Sequence, residues 1–333
     1  MHYLEHRVLD FIRQQRLIEK GDRLLIACSG GVDSMALLTF FVKLKAQLGT
    51  EVVVAHVDHM LRDEASKGDR ELVEEFCAAH NLRVESVAIP IQEIREARGG
   101  NMQAVCREER YRFFMDVMER LSLHTLVTAH HADDQLESML MALTKSTNVA
   151  SLTGIHASRN FEQKKIIRPF LTVTKLEIRE YLQNNAGVFR EDASNAKEDY
   201  TRNRFRHRIV PLLKEENPQV SLNAVHVAQQ LQADHDYLQQ LAEARFSAIF
   251  TKLQNNSYKL EIPLLQTEPL ALQRRLILIL LNYLYNDTNT FQSHTLCTSI
   301  LNMFQNQNGS SMINLPKQFV VSRQYGMMFF QKE

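Results

Sequence analysis

Six consecutive residues, from Ser29 to Ser34, are of the types that bind a phosphate group. They read Ser-Gly-Gly-Val-Asp-Ser, after the apolar stretch Leu24 to Ala27 and before an apolar helical pattern from Met35 to Leu48. Glycine lets the backbone turn tightly beside a ligand, and the start of a helix offers N–H donors whose dipole favours an anion. The residues predicted to hold a phosphate are Ser29, Gly30, Gly31, Val32, Asp33 and Ser34.

This run differs from other phosphate-binding sequences. It lacks the lysine of a Walker A loop and the spaced glycines of a dinucleotide-binding turn. We predict that Asp33 binds a Mg²⁺ ion, because a carboxylate beside a triphosphate would be repelled by the phosphates unless a cation lay between them. The alternative role of Asp33 is to stabilise the helix N-terminus, and the alternative for the whole run is an ordinary strand-to-helix turn.

A second polar run follows another apolar stretch and extends from His130 to Glu137. Asp134 and Glu137 are three residues apart, so a helix places both on one face, and we predict that Asp134 joins Asp33 in holding Mg²⁺. Acidic residues favoured in a first helical turn are the alternative. His130 and His131 cannot both face one site, because neighbouring side chains project differently. One of them is predicted to face the site as a phosphate or adenine contact or as a proton acceptor, and the alternative is a structural histidine that caps the strand end.

The densest positive charge lies just after Tyr200. Arg202 and Arg206, like Arg204 and Arg208, are four residues apart, so one helix carries two positive stripes. Like charges at this spacing destabilise a helix, and with interleaved aromatic residues they favour a nucleic-acid partner. The residues predicted to bind RNA are Arg202, Asn203, Arg204, Arg206 and Arg208. The alternative is a solvated helix that pairs with nearby acidic residues, namely Glu191, Asp192 and Asp199.

The elements that must position these residues alternate between strand and helix. Strands are predicted at 24–27, 51–57, 82–89, 124–129 and 165–168. Alternation with helices is typical of an α/β fold with a doubly wound, parallel five-stranded sheet, in which ligands bind at the carboxyl ends of the strands. The phosphate-binding run and the segments that begin at His56 and His130 all follow strands. We therefore predict one shared cleft, with His56 as a further nucleotide contact.

The alternation stops near residue 176. Helices are predicted at 175–185, 219–253 and 270–285, and short strands near 258–262, 312–315 and 319–330. The inner face of the long helix is predicted to carry Val220, Ala224, Val227, Leu231 and Leu238. These elements indicate a catalytic domain at 1–215 and a smaller, mainly helical α+β domain at 216–333.

Composition sets broad limits. The 39 basic and 39 acidic residues cancel, so any polyanion site must come from a local cluster. Four cysteines without a C-x-x-C pair argue against structural zinc, an iron–sulfur cluster or a disulfide framework. The first helix contains acidic residues, unlike a signal peptide, and no apolar run reaches membrane length. We expect a cytoplasmic protein with no membrane association.

Several stretches together resemble one family. They are S-G-G-V-D-S, H-V-D-H-M-L-R from His56, N-M-Q-A-V-C-R-E-E-R-Y from Asn101, T-A-H-H-A-D-D-Q-L-E from Thr128, D-A-S-N from Asp192 and Y-T-R-N-R-F-R from Tyr200. Across residues 20–215 the chain resembles the tRNA(Ile)-lysidine synthetase family of N-type ATP pyrophosphatases. The resemblance implies an adenine nucleotide alpha hydrolase-like fold. It also implies that ATP adenylates the C2 carbonyl oxygen of the wobble cytidine of tRNA(Ile) with a CAU anticodon, after which the side-chain amine of free L-lysine attacks C2 and expels AMP.

The same resemblance implies roles for particular residues. The phosphate-binding run would hold the pyrophosphate moiety of ATP, with Asp33 near Mg²⁺. His130, Asp134 and one of Arg107 and Arg110 would serve the reaction centre and lysine. The second domain would bind tRNA.

The chain departs from the family pattern in two places. Thr144 to Thr147 replace an expected glycine-bearing turn, and the chain ends before the further domain of longer members, so we expect a short form or a truncation. Two alternatives stay open: an ATP-dependent tRNA thiolase, which would need catalytic cysteines where Cys28 and Cys106 look isolated and buried, and a non-catalytic nucleotide- or tRNA-binding module. The sequence also leaves the oligomeric state open, a homodimer included.

Overall fold

The computed structural model describes residues 2–61, 64–190, 201–285, 294–305 and 311–332. The chain divides into two compact units, Met1–Met141 with Gly154–Val227 and Ala142–Thr153 with Ala228–Glu333. The domain boundary after residue 215 stays a prediction. Predicted features that lie outside the described residues are Arg62, Glu191, Asp192, the rest of the D-A-S-N stretch, Asp199 and Tyr200.

The first unit contains a six-stranded sheet. Its strands are β1 Arg23–Ala27, β2 Glu51–Asp58, β3 Arg83–Ala88, β4 Thr125–Val127, β5 Ser158–Phe161 and β6 Lys164–Ile167. The strand order is β3-β2-β1-β4-β6-β5. All five predicted strands are present and pair in parallel, which confirms the α/β prediction. The five parallel strands are as predicted, and the sheet also has a sixth strand that was not predicted: β5 pairs antiparallel to β6 at the edge, and its polar residues lack a buried-strand pattern.

Helices cover both faces of this sheet. They are α1 Tyr3–Gln14, α2 Val32–Leu48, α3 Glu64–Ala79, α4 Ile91–Arg98, α5 Met102–Arg120, α6 Ala132–Lys145, α7 Lys175–Asn184, α8 Thr201–Arg204 and α9 Val210–Glu216, with a π-helical turn at Phe205–Ile209. Alternate residues of β1 enter opposite cores, as the period of a strand requires. Leu24 and Ile26 pack with α1, α2 and α7, whereas Leu25 packs with α5. The burial of β1 on both faces fixes its carboxyl end, where the phosphate-binding run begins.

The second unit is α+β, as predicted. Its strands are β7 Phe250–Lys252, β8 Tyr258–Glu261, β9 Ser311–Leu315, β10 Phe319–Gln324 and β11 Met327–Lys332, in the antiparallel order β7-β8-β11-β10-β9. The long helix α10 Val220–Ile249 leads into it, followed by α11 Ile262–Gln266, α12 Leu270–Tyr285 and α13 His294–Gln305. The prediction that Val227 faces inward was wrong, since it is 47% exposed while Val225 is buried. Among the described helices, none combines the length and the apolar character needed to cross a membrane.

Candidate active site

The phosphate-binding run forms a turn between β1 and α2. Gly30 has φ +84°, a left-handed conformation that favours glycine, and a Cβ atom there would lie 3.2 Å from the carbonyl oxygen of Asp69. Gly31 is the N-cap of α2, and no side chain in the described part of the chain caps it. The first N–H groups of a helix have no partner within the helix. This turn therefore presents backbone donors, including that of the buried Val32, to an anion.

The hydroxyl of Ser34 holds the turn in shape. It accepts a hydrogen bond from the Ser29 backbone N–H at 3.1 Å and donates to the Gly31 carbonyl oxygen at 3.0 Å. Ser34 is 6% exposed, whereas Ser29 is exposed. From outside the turn, the Arg190 backbone N–H donates to the Gly30 carbonyl oxygen at 3.1 Å. Ser34 therefore supports the turn from within, and Ser29 is the serine whose hydroxyl is accessible.

His56 lies behind the turn. Its Nδ1 is 2.9 Å from the Cys28 carbonyl oxygen, and the residue is only 2% exposed. Burial lowers the pKa of His56, so the ring is neutral at pH 7 and Nδ1 carries the hydrogen donated to Cys28. Because the ring is buried in this way, His56 does not present the predicted contact to a nucleotide. Its hydrogen bond to Cys28 instead supports the turn from the neighbouring strand β2.

Asp33 is held by a lysine that the sequence did not single out. The Lys175 Nζ lies 2.6 Å from both carboxylate oxygens of Asp33, and the Lys175 backbone N–H donates to Asp133 at 2.7 Å. Lys175 is the first residue of α7, whose N-cap is Thr174. Asp33 is partly exposed, at 30% of its side chain. The position predicted for Mg²⁺ therefore contains an ion pair that a bound cation would have to replace.

Four charged side chains form a compact cluster beside Asp33, which we call the acid–arginine cluster: Asp134, Glu137, Arg202 and Arg206. The Arg202 Nη2 lies 3.0 Å from Asp134 and its Nε 2.8 Å from Glu137. The Arg206 Nη2 lies 3.2 Å from Asp134 and its Nε 2.6 Å from Glu137. Glu137 is 1% exposed and Asp134 8%. Two carboxylates and two guanidinium groups thus neutralise one another in a largely buried position.

The RNA-binding prediction changes for the residues of this cluster and for their neighbour Asn203. Arg202 and Arg206 do not form a free positive stripe for RNA, because each binds both carboxylates. Asn203 is 8% exposed, so it does not lie on a surface that RNA reaches, whereas Arg204 and Arg208 are exposed and their RNA contact stays a prediction. Burial disfavours ionised Asp134, but His131 and Arg202 outweigh that effect and hold its pKa below the usual range.

The two adjacent histidines face different surroundings. The His131 Nε2 is 3.4 Å from Asp134 and 3.8 Å from Asp33, and the residue is 4% exposed. His131 therefore lies between the phosphate-binding turn and the acid–arginine cluster. His130 has its Nδ1 2.9 Å from the Thr128 hydroxyl and lines a cavity of about 310 Å³. Burial lowers the pKa of His130 to about 4, so its ring is neutral at pH 7.

The two candidate arginines of α5 also differ. Arg107 lines the cavity together with His130, and its guanidinium group lies 4.8 Å from the centre of the Tyr111 ring. Arg110 does not belong to the described lining, and burial lowers its pKa. Of the two, Arg107 has the position expected of a reaction-centre residue.

Of the two carboxylates predicted to bind Mg²⁺, only one has surroundings that suit a metal ligand. Within the described ranges, no group of three or more His, Cys, Asp and Glu residues is arranged to hold a metal ion. Mg²⁺ commonly takes one or two carboxylates and completes its shell with phosphate and water. Asp33 fits this pattern where the cation replaces its hydrogen-bonded partner Lys175, because its side chain is 30% exposed. Asp134 does not, because two arginines already occupy its carboxylate.

Sequence reasoning missed Lys175 and Arg159. Arg159 lies on the edge strand β5 and lines the same cavity as His130. Lys175 had a usable signal, because the capping sequence Thr-Lys-Leu-Glu places it at the start of a helix shortly after a strand. No comparable signal marked Arg159.

Comparisons with known proteins agree with this geometry. Residues 2–213 match a family model described as a PP-loop domain. The chain is 38% identical over 327 residues to the tRNA(Ile)-lysidine synthase of Bacillus subtilis (strain 168), an alignment that covers 98% of this chain and 69% of that relative. It is 36% identical over 322 residues to the tRNA(Ile)-lysidine synthase of Bacillus licheniformis, with 96% and 67% covered.

A solved structure shares the fold. The U34-tRNA thiolase from Methanococcus maripaludis superimposes with a TM-score of 0.57, over 68% of this chain and 77% of that chain. Because its sequence identity is 13%, the likeness concerns the fold alone.

Proposed function

Because this chain belongs to the tRNA(Ile)-lysidine synthase family of PP-loop proteins, we propose that it converts the wobble cytidine of a CAU-anticodon tRNA(Ile) to lysidine. As a member of that family it is an ATP-dependent ligase that modifies tRNA(Ile). In the first proposed step, the C2 carbonyl oxygen of the cytosine attacks the α-phosphorus of ATP and pyrophosphate leaves. In the second, the side-chain amine of lysine forms a bond to C2, the C2–O bond breaks, AMP leaves and the amine loses a proton.

One observation carries this proposal. The His131 ring bridges the phosphate-binding turn and the acid–arginine cluster, with its Nε2 within 3.8 Å of Asp33 and 3.4 Å of Asp134. A nucleotide bound by the turn would therefore have its phosphates next to a cluster suited to a charged second substrate. That arrangement supports a group transfer between two substrates rather than nucleotide binding alone.

The phosphate-binding turn would hold the departing pyrophosphate through backbone N–H groups and the accessible Ser29 hydroxyl. Fixed donors stabilise charge that develops in the transition state, because they need no reorganisation when the bond breaks. Lys175 would add a positive charge at the same place once Asp33 binds Mg²⁺. That metal, when bound, would neutralise charge on the phosphates.

The acid–arginine cluster would recognise free lysine. An α-amino acid carries a carboxylate, and planar guanidinium groups fixed in place are well suited to bind a carboxylate through paired hydrogen bonds. The α-carboxylate of lysine would bind Arg202 and Arg206, whose side chains are 36% and 34% exposed, while Asp134 and Glu137 hold the two guanidinium groups in place from the buried side. The side-chain amine would then remain free to attack C2.

His130 would orient the cytosine and would not remove the proton. A pKa of about 4 makes its ring a weak base at pH 7. It is, however, a good hydrogen-bond acceptor or donor in the neutral form. Arg107 would face the same substrate from α5 and stabilise negative charge on the adenylate phosphate.

The test is turnover with defined substrates. The chain is incubated with ATP, Mg²⁺, radiolabelled lysine and unmodified tRNA(Ile) bearing a CAU anticodon, and both pyrophosphate and labelled tRNA are measured. We expect both products, and neither with a tRNA whose wobble cytidine is replaced by uridine. Pyrophosphate release that needs a sulfur donor in place of lysine would favour a thiolase, and tRNA binding without pyrophosphate release would favour a binding module.

We also propose that the active form is a homodimer. The mass of the protein in solution, measured at the assay concentration, tests this.

A further inference from the structure

The cavity beside His130 is strongly positive. Four arginines contribute to its lining, and they come from three helices or strands and one loop: Arg107, Arg159, Arg168 and Arg202. The remaining lining residues of the described chain are His130, Ser138, Gly154, Ile155 and His156, so no carboxylate is among them. Among the described residues, carboxylate partners are found for Arg202 alone of the four, in the acid–arginine cluster. Such an excess of guanidinium groups around one space is costly unless an anion enters it.

The arginines are held in place before any ligand binds. The Arg159 guanidinium lies 5.3 Å from the centre of the Phe161 ring, and Arg107 lies over Tyr111. Arg168 is 5% exposed and donates from Nη1 to the His156 carbonyl oxygen at 2.6 Å. The buried Nε atoms of Arg159 and Arg168 have no hydrogen-bond partner within the described residues. Burial lowers the pKa of Arg168, and the positive charges of Arg159 and Arg107 lower it further.

Size and position limit the ligand. A volume of about 310 Å³ is at the low end of the about 300–1,000 Å³ found for small-molecule sites. It therefore suits a single nucleotide better than several. The triphosphate of ATP already has the phosphate-binding turn, so a second anion is needed for this cavity. An RNA base that undergoes chemistry must leave its stack and enter a pocket, and its phosphate enters the same region.

We propose that Arg159 and Arg168 bind a phosphate that flanks the target nucleotide when that nucleotide occupies this cavity. The edge strand β5 then has a function, because it brings Arg159 to the rim of the site. This inference rests on the proposed function, since the target nucleotide is the cytidine that is modified. A phosphate of ATP is the other source of a suitable anion, and the experiment separates the two.

The experiment is a double-mutant cycle between protein and RNA. Arg159→Met is combined with synthetic tRNA(Ile) in which the phosphate on the 5′ or the 3′ side of the target cytidine is a neutral methylphosphonate. We expect R159M alone, and one of the two neutral linkages alone, each to reduce kcat/KM for tRNA about ten- to a hundredfold. Together they should cost no more than either alone, because the same contact is removed twice. Arg159→Lys should recover part of the loss by retaining the charge.

Controls distinguish failure of this inference from failure of the proposed function. Arg120→Met, at the far end of α5 and paired with Asp116 and Glu85, should leave kcat/KM unchanged. Independent, multiplicative losses at both linkages would overturn the inference, as would a raised KM for ATP with an unchanged KM for tRNA. If the unaltered chain makes no lysidine at all, the proposed function fails instead. Arg168→Lys provides a second cycle with a smaller expected loss, because lysine retains the charge, and additivity in that cycle would remove Arg168 from the proposal.

Discussion

The phosphate-binding turn and the acid–arginine cluster lie side by side but are built in opposite ways. The turn comes from one contiguous run, and its ligand-facing groups are mainly backbone donors at the start of α2. The cluster joins Asp134 and Glu137 of α6 to two arginines that are 65 to 72 residues away in sequence. The turn depends on backbone conformation, whereas the cluster depends on the fold being complete. Substitutions should therefore affect function alone at the turn, but both stability and lysine binding at the cluster.

The largest expected effect concerns Asp33 in the turn. Its side chain is partly exposed and lies outside the hydrogen bonds that shape the turn. We expect Asp33→Ala to lower the rate of adenylation at least about a thousandfold, because a phosphate-site contact formed in the transition state is lost. Pyrophosphate release measures the rate, and filter binding measures tRNA affinity, which should not change.

A matched control for this variant is Asp10→Ala, an exposed carboxylate on α1 paired with Arg13. It should leave the rate unchanged. Loss of tRNA binding in D33A, or a large fall in its unfolding free energy, would contradict the contrast, because Asp33 would then support the fold and not only the chemistry.

The second prediction tests the cluster through Glu137. Removing one carboxylate leaves two buried guanidinium groups sharing Asp134, and breaking such a buried pair costs about 3–5 kcal/mol. We expect Glu137→Gln to lower the free energy of unfolding in urea by about 3 kcal/mol and to raise the KM for lysine. Glu108→Gln, whose carboxylate pairs with Arg112 on the surface, should cost about 0–1 kcal/mol. Equal costs for both variants would mean that the cluster is no more than a solvated ion pair.

The same contrast explains what the sequence could predict. The turn was predicted residue by residue, because strand, glycines and helix start are neighbours in the chain and each has a local signature. The cluster was predicted only in part: Asp134 was assigned to a metal and Arg202 to RNA, although the two bind each other. Their charges were visible, but pairing across 68 residues depends on how α6 and α8 pack. The edge strand β5 was missed for a similar reason, since four mostly polar residues become a strand only beside β6.

The third prediction concerns Lys175, which connects the chemistry of the turn to the architecture around it. Its Nζ binds Asp33, and we expect Lys175→Met to raise the KM for ATP about tenfold by removing a positive charge beside the triphosphate. The control is Lys214→Met, since Lys214 has similar exposure and also binds an aspartate, Asp133. K214M should alter stability and leave the KM for ATP unchanged. An equal effect of both variants on that KM would show that the charge acts at long range and not at the turn.

The smallest expected effect is a pH dependence. Backbone donors do not titrate, so the turn should add no slope near neutrality, whereas His130 at the end of β4 should. Its pKa falls from an ordinary 6.5 to about 4 on folding. Between these values the unfolded chain binds more protons, so stability is lost as the pH falls below 6.5. The expected loss is about 1 kcal/mol between pH 7 and pH 5.5.

His130→Asn should remove this part of the slope of the unfolding free energy with pH, measured in urea against the unaltered chain. His56, whose pKa is lowered by burial, and His59, whose pKa is lowered to about 4 by burial and Arg110, also add slopes, which H130N leaves in place. If H130N and the unaltered chain have the same slope, the His130 ring is hydrated, and its assignment as a neutral group that orients the cytosine fails.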